Sequence, residues 1–125
     1  MKLLVDTHLL IRAANNRLPD KAKPYFTDNQ NTLYFSSVSI WEATIKRGLN
    51  RPDFQVEPTL LYGGLLNNGY IELGLTSFHA LLVAHLPSVH KDPFDRILIA
   101  QAKAEGMMFL SADYLVSQYP NVIYV

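Results

Sequence analysis

The chain contains no cysteine. That absence excludes disulfides and thiolate metal sites, and it fits a reducing compartment. A charge excess is missing as well, since 11 basic residues face 11 acidic ones for a formal net charge of +0. No global field draws the chain to nucleic acid, which counts against a sequence-specific DNA-binding protein. An enzyme that meets phosphate through a bound cation is untouched by that count, because the cation brings its own charge. Long hydrophobic runs are lacking too. The N-terminal run of Leu3, Leu4 and Val5 is stopped by Asp6, too early for a signal peptide or a membrane span. The expectation is a soluble, cytoplasmic protein with no membrane partner. Repeats, low-complexity tracts and linkers are not found, so residues 1–125 are read as one domain, and 49% hydrophobic content is enough for one substantial core.

What is present is alternation. Short β-rich runs at Leu3–Val5, Leu33–Phe35, Tyr70–Leu73, Met107–Leu110 and Val122–Tyr124 are separated by helical patterns. That predicts βαβ units around a parallel sheet, an α/β domain. Helices are expected over Thr7–Asn15, where Leu9, Leu10 and Ala13 share a face, and over Lys21–Asp28, which Pro24 interrupts. Ser39–Arg47 is bounded by Gly48, Thr59–Asn68 by Gly69 and Ser77–Leu86 by Pro87. Pro93–Glu105 has proline in its first turn and Gly106 just past its end, and Asp113–Gln118 makes a short last helix.

Asp6, Glu42, Asp95 and Asp113 each stand where an apolar strand ends or a helix begins. In an open parallel sheet the carboxyl ends of strands and the N-termini of helices share one edge, so residues distant in sequence converge there. Each acid also has a local explanation. Ser39 and Glu42 have the spacing of a capping box. Asp92, Pro93 and Asp95 read as an N-cap, a first-turn proline and an acid favoured by the helix dipole. Asp113 can cap the last helix. Asp6 resists such a reading, because a carboxylate placed directly after a buried strand costs stability unless something compensates it. Taken jointly, the local explanations require four independent coincidences. A hard divalent cation such as Mg²⁺ or Mn²⁺ accounts for the set at once, since it takes oxygen ligands from carboxylates, water and substrate phosphate. Asp6 and Asp95 are the foremost candidates for ligands, Glu42 follows, and Asp113 supports them. Helix N-termini would keep such acids ionised, as ligation requires. Thr7, Ser37 and Ser111 are candidates to orient waters or else to cap helices, and Arg96 would meet either phosphate or the carboxylates.

The stretches Val5-Asp6-Thr7-His8-Leu9-Leu10, Ser36-Ser37-Val38-Ser39-Ile40-Trp41-Glu42, His90-Lys91-Asp92-Pro93-Phe94-Asp95-Arg96 and Phe109-Leu110-Ser111-Ala112-Asp113 resemble the PIN-domain nucleases, and within them the VapC-type toxins of bacterial toxin–antitoxin pairs. The resemblance spans nearly the whole chain. It implies a five-stranded parallel sheet in the order 3-2-1-4-5 flanked by helices, and a metal-dependent endoribonuclease that hydrolyses RNA phosphodiester bonds. By the same resemblance Asp6, Glu42, Asp95 and Asp113 are catalytic, with Asp6, Asp95 and Asp113 as Mg²⁺ or Mn²⁺ ligands and Thr7, Ser37, Arg96 and Ser111 in support. A homodimer and a small antitoxin partner are implied too. The antitoxin would lay an amphipathic segment on the helices between Lys21 and Leu49 and insert a basic side chain near Asp6 and Asp95. Lys46, Arg47, Arg51 and Arg96 would track the RNA backbone, unless Lys46 and Arg47 simply form a solvated helix end. Two departures stand out: Arg12 occupies a position where relatives often have tryptophan, and Ser111 one where many have threonine.

Competing readings fare worse on the residues. A phosphatase of the haloacid dehalogenase type needs a second aspartate two residues after the first, and that place holds His8. A phosphoacceptor receiver domain needs an aspartate ending its central strand and a lysine ending a later one, which Tyr70–Leu73 does not offer. A catalytically silent PIN-like binding module is the non-enzymatic alternative. His8, His79, His85 and His90 lack the i,i+4 spacing of a metal pair and read as surface or core polar groups. Phe78, Leu81, Leu82 and Leu86 are assigned to core or dimer surface.

Overall fold

A computed structural model describes residues 1–88 and 91–125. His90, part of the third acidic motif, lies outside the described residues. Five strands form one wholly parallel sheet in the order β3-β2-β1-β4-β5, as the resemblance implies. They are β1 (Lys2–Val5), β2 (Thr32–Ser36), β3 (Ile71–Leu73), β4 (Met108–Ser111) and β5 (Val122–Tyr124). The helices are α1 (Thr7–Ala14), α2 (Lys23–Thr27), α3 (Ser37–Gly48), α4 (Pro58–Asn67), α5 (Ser77–Leu82) and α6 (Pro93–Ala104).

The central strand explains the layering. Side chains alternate across a strand, so Leu3 and Val5 point to one face and Leu4 to the other. All three are fully buried, as expected of a parallel strand covered on both sides. Leu3 and Val5 join a core with Leu9, Leu10, Phe35, Phe54, Leu61 and Leu65 beneath α1 and α4. Leu4 joins the opposite core with Leu98, Ile99, Phe109, Val116 and Tyr119 beneath α6. Each such leucine or valine contributes about 1.5–3 kcal/mol of burial. Among the described residues no helix is long and apolar enough to cross a membrane.

Helix ends differ from expectation in instructive ways. Helix α3 begins at Ser37, because Ser36 and not Ser39 is its N-cap, with Ser36 Oγ accepting from the Val38 N–H at 3.0 Å. The Ser39–Glu42 capping box is therefore not formed, and Glu42 is freed for another task. The helix expected over Ser77–Leu86 ends at Leu82 and tightens into a 3₁₀ turn at Val83–His85. The helix expected at Asp113–Gln118 is only a 3₁₀ turn, Tyr114–Val116, capped by Asp113. A further 3₁₀ turn at Pro52–Phe54 had no clear sequence signal.

Candidate active site

Strand order reverses at β1: β2 and β3 lie to one side, β4 and β5 to the other. In open α/β sheets the crevice at such a switch point, outside the carboxyl ends of the strands, is where ligands bind. Asp6 sits there. Register does the placing, for Val5 pairs with Leu110, which sets Asp6 beside Ser111. The Asp6 N–H bonds the Leu110 carbonyl at 3.0 Å, and the Ser111 hydroxyl donates to Asp6 Oδ2 at 2.6 Å. Although Asp6 is the N-cap residue of α1, its carboxylate makes no capping bond. The side chain is 2% exposed, and its other oxygen, Oδ1, has no hydrogen-bond partner. Burial raises the Asp6 carboxyl above its ordinary value; the Ser111 bond and the nearby His8 oppose that rise, and the charge of Glu42 adds to it. Glu42 and Asp6 thus act on one another electrostatically across the crevice.

Glu42 projects from the second turn of α3 and is 1% exposed. Lys46, one turn further along the same face, pairs with Glu42 Oε2 at 2.7 Å. Its ammonium stands 4.9 Å from the centroid of the Phe54 ring and 5.2 Å from that of Phe94. Two aromatic faces thus hold the cation against the acid, so Lys46 is neither a solvated helix end nor a free cation. Glu42 Oε1, like Asp6 Oδ1, is buried without a hydrogen-bond partner. An unpaired buried carboxylate oxygen is expensive, and two in one crevice call for a reason.

The remaining candidates occupy their own places. Asp95 is buried in the first turn of α6, where Asp92 already caps the helix by accepting from the Phe94 N–H at 2.9 Å. Asp113 caps its turn by accepting from the Leu115 N–H at 2.9 Å, and its own N–H bonds Ser111 Oγ at 3.0 Å. Ser111 therefore links Asp6 to Asp113 directly. Thr7 donates its hydroxyl to Ser39 Oγ at 2.8 Å, tying α1 to α3. Ser37 Oγ accepts from the Leu75 N–H at 3.2 Å, on the far side of β2. Arg96 donates to the carbonyls of Pro87 and Val83, both at 3.1 Å, and to the Tyr119 hydroxyl at 3.4 Å. These bonds tie Arg96 to the segment that leads into α6. His8 Nε2 pairs with Asp53 Oδ2 at 3.0 Å, and the buried His79 pairs with Glu105 Oε2 at 2.8 Å.

Sequence reasoning undervalued Lys46. The i,i+4 spacing to Glu42 was visible, but nothing local announced that Phe54 and Phe94, from other elements, would enclose the ammonium.

Among the described residues, no three acidic or histidine side chains stand close enough to enclose a metal ion unaided. The donor set suits a more open arrangement. Mg²⁺ commonly binds through one or two carboxylates and completes its shell with water and substrate phosphate. Asp6 Oδ1 and Glu42 Oε1 are two hard oxygen donors of this kind, unpaired and electrostatically coupled.

A second concavity, a groove of about 540 Å³, lies against α1 and α4, with Leu10, Ala13, Phe26, Leu60, Gly64 and Leu65 in its walls. Of the stretch 21–49, where an apolar docking surface was expected, only Phe26 and Leu33 contribute to it. Within that stretch Val38 and Ala43 of α3 are buried in the two cores, whereas Trp41 and Ile45 of the same helix, and Leu49 just past it, are exposed.

Comparison with known proteins agrees with this architecture. The family model for the PIN domain matches residues 3–121. A chain of VapBC2 from Rickettsia felis, in a complex bound to a DNA fragment from its promoter, superposes with a TM-score of 0.71 at 16% identity, covering 100% of this chain and 98% of that one. A chain of DNA-bound VapBC from Salmonella typhimurium gives a TM-score of 0.71 at 13% identity, covering 100% and 97%. A toxin–antitoxin complex from Klebsiella pneumoniae contributes a chain with a TM-score of 0.62 at 17% identity, covering 97% and 95%. No curated protein matches the chain significantly in sequence.

Proposed function

Because this chain belongs to the PIN domain family, we propose that it is a divalent-cation-dependent endoribonuclease, the toxin of a toxin–antitoxin pair. The observation that carries the proposal is the pair of buried, unpartnered oxygens, Asp6 Oδ1 and Glu42 Oε1, at the switch point of the sheet. A purely structural carboxylate would have spent these oxygens on hydrogen bonds. The catalytic set proposed is Asp6, Glu42, Asp95 and Asp113, with Ser111 fixing Asp6.

Asp6 and Glu42 would hold a Mg²⁺ or Mn²⁺ ion, with Asp95 and Asp113 adding negative charge at the same edge. Such an ion supplies Lewis acidity toward a phosphoryl oxygen and lowers the pKa of water. The chain does the rest. Ser111 fixes the Asp6 carboxylate by holding Oδ2, which leaves Oδ1 without a hydrogen-bond partner. Lys46 does the same for Glu42 through Oε2. Each acid is thereby pre-oriented, with one oxygen tethered and the other available, and little reorganisation is left for the reaction itself. A carboxylate in this position can accept the proton of a water that attacks phosphorus in line with the leaving oxygen. The α6 N-terminus favours phosphate nearby.

The similar chains come from VapBC and toxin–antitoxin complexes. That supports a small antitoxin as partner, for which the α1–α4 groove is the apolar seat. A cationic side chain from the antitoxin would satisfy the same two oxygens that a metal would. The test is cleavage of single-stranded RNA by purified protein with Mg²⁺ or Mn²⁺. Loss of cleavage in excess chelator and in Asp6→Asn is expected, whereas equal cleavage by Asp6→Asn refutes the assignment.

A further inference from the structure

Helix α1 ends in a turn that fixes two arginines. Asn15 is the C-cap and Asn16 follows at φ 55°; the Arg17 N–H then bonds the Arg12 carbonyl at 2.8 Å, and the Asn16 N–H bonds that of Ala13 at 3.3 Å. This is the closing pattern of a helix that stops on a left-handed residue, and asparagine is among the few side chains that accept that conformation. In return Arg12 Nε donates to the Arg17 carbonyl at 3.1 Å. The Arg12 guanidinium is thus anchored by one N–H. Neither Arg12 nor Arg17 has a carboxylate partner among the described residues.

Between this turn and the 3₁₀ turn at Pro52–Phe54 lies a cavity of about 610 Å³, lined by His8, Ile11, Arg12, Arg17, Asp53 and Gln55 among others. Its one carboxylate, Asp53, is already engaged by His8 Nε2 at 3.0 Å and by Arg51 Nε at 3.6 Å. Those partners keep the Asp53 carboxyl below its ordinary range, the His8 hydrogen bond being the main cause. The cavity therefore carries an uncompensated positive balance in a chain with no net charge. It is also next to the acids. The His8 ring forms its wall and stacks edge-on with Phe54 at 5.0 Å, and His8 stands in the first turn of α1, directly after Asp6 and Thr7. Arg12 follows His8 by one helical turn, about 6 Å along the axis.

We propose that this cavity is a backbone subsite for single-stranded RNA, in which Arg12 and Arg17 each bind a phosphate flanking the bond to be cut. The inference rests on the ribonuclease reading and adds a substrate foothold to it. A carboxylate crevice repels a polyanion, so a cationic groove adjoining it supplies the attraction that the crevice lacks. Guanidinium groups match phosphate in a two-pronged geometry that lysine cannot reproduce. Direct continuity with Asp6 through His8 favours RNA over an acidic protein segment as the occupant.

The experiment measures binding of a labelled, mixed-sequence single-stranded RNA to the Asp6→Asn protein by fluorescence anisotropy over a series of salt concentrations. Arg12→Gln and Arg17→Gln are added singly and together, and cleavage by the corresponding variants with Asp6 intact is followed in parallel. Each substitution should weaken binding about fivefold or more and reduce the log–log salt slope by about 0.7 per phosphate lost. In cleavage, KM should rise while kcat holds, and Arg12→Lys should keep the slope but recover only part of the affinity. Unchanged affinity and slope, with wild-type cleavage intact, overturn the subsite alone. If the variants instead lose affinity for polyglutamate and not for RNA, the cavity takes an acidic protein segment and the proposal is wrong. If wild type fails to cut RNA with every divalent ion tried, the ribonuclease reading falls and the subsite falls with it.

Discussion

The Ser111 hydroxyl meets Asp6 Oδ2 at 2.6 Å across 105 residues of sequence. Two adjacent parallel strands bring them together, and the bond commits one oxygen of the acid while the other, Oδ1, stays unpaired. The same device recurs at Glu42, where Lys46 is the tether.

Ser111→Ala should therefore leave Asp6 Oδ2 buried and unsatisfied, and it removes the acceptor of the Asp113 N–H as well. A loss of about 1–3 kcal/mol is expected in urea unfolding. Ser111→Thr keeps the hydroxyl and should restore most of it. Equal stability of the alanine and threonine variants would show that the bond does not hold the carboxylate.

Asp6 also makes stability depend on pH in a definite direction. Its folded-state pKa is raised, chiefly by burial. Between the unfolded carboxylate value, about 3.9, and the raised folded value, the native state binds the extra proton, so stability of metal-free protein falls as pH rises through that window. Below the window the penalty is absent. Asp6→Asn should raise Tm by a few degrees at neutral pH without divalent ions and by progressively less as pH drops toward 4. Added Mn²⁺ should stabilise wild type and much less the variant. A variant that melts lower at every pH would make Asp6 a structural residue.

Much of this architecture is legible in the sequence. All five strands and their parallel sense follow from the alternation of β-rich and helical runs, and the acid at the end of β1 stands out because that strand is apolar, buried on both faces and cut off by Asp6. Helix starts were harder. Ser36, Ser37 and Ser39 are all competent caps, and only the tertiary position of β2 selects Ser36. That choice turns Glu42 from a cap into a buried acid. The role of Lys46 was illegible for a similar reason, since Phe54 and Phe94 lie 8 and 48 positions further along the chain.

Lys46→Met should unbalance Glu42. Removing one partner of a buried pair costs about 3–5 kcal/mol when it strands the other charge. Lys46 is 13% exposed, which brings the expectation toward the lower end. Combining it with Glu42→Gln should recover part of that loss, and a double-mutant cycle reads the coupling. Additive losses would place Lys46 outside the site.

Leu60 is exposed beside the α1–α4 groove. If the groove seats an antitoxin, Leu60→Asp should weaken binding of the cognate antitoxin by tenfold or more, about 1.4 kcal/mol, while RNA cleavage is kept. The Asp6→Asn, Asp95→Asn double variant should bind that partner more weakly and with less salt dependence. Affinity unchanged in all variants would place the partner elsewhere.

The most direct test is single-turnover cleavage of single-stranded RNA by the wild type, Asp6→Asn and Glu42→Gln, each titrated with Mn²⁺ and then with excess chelator. Wild type should cut only with the ion. Both variants should lose at least about a hundredfold in rate, of the order seen when a preorganised catalytic group is removed, while the Tm of Asp6→Asn stays at or above wild type without metal. Cleavage that persists in chelator, or variants as active as wild type, would contradict the claim that the two unpaired oxygens of Asp6 and Glu42 form the catalytic centre.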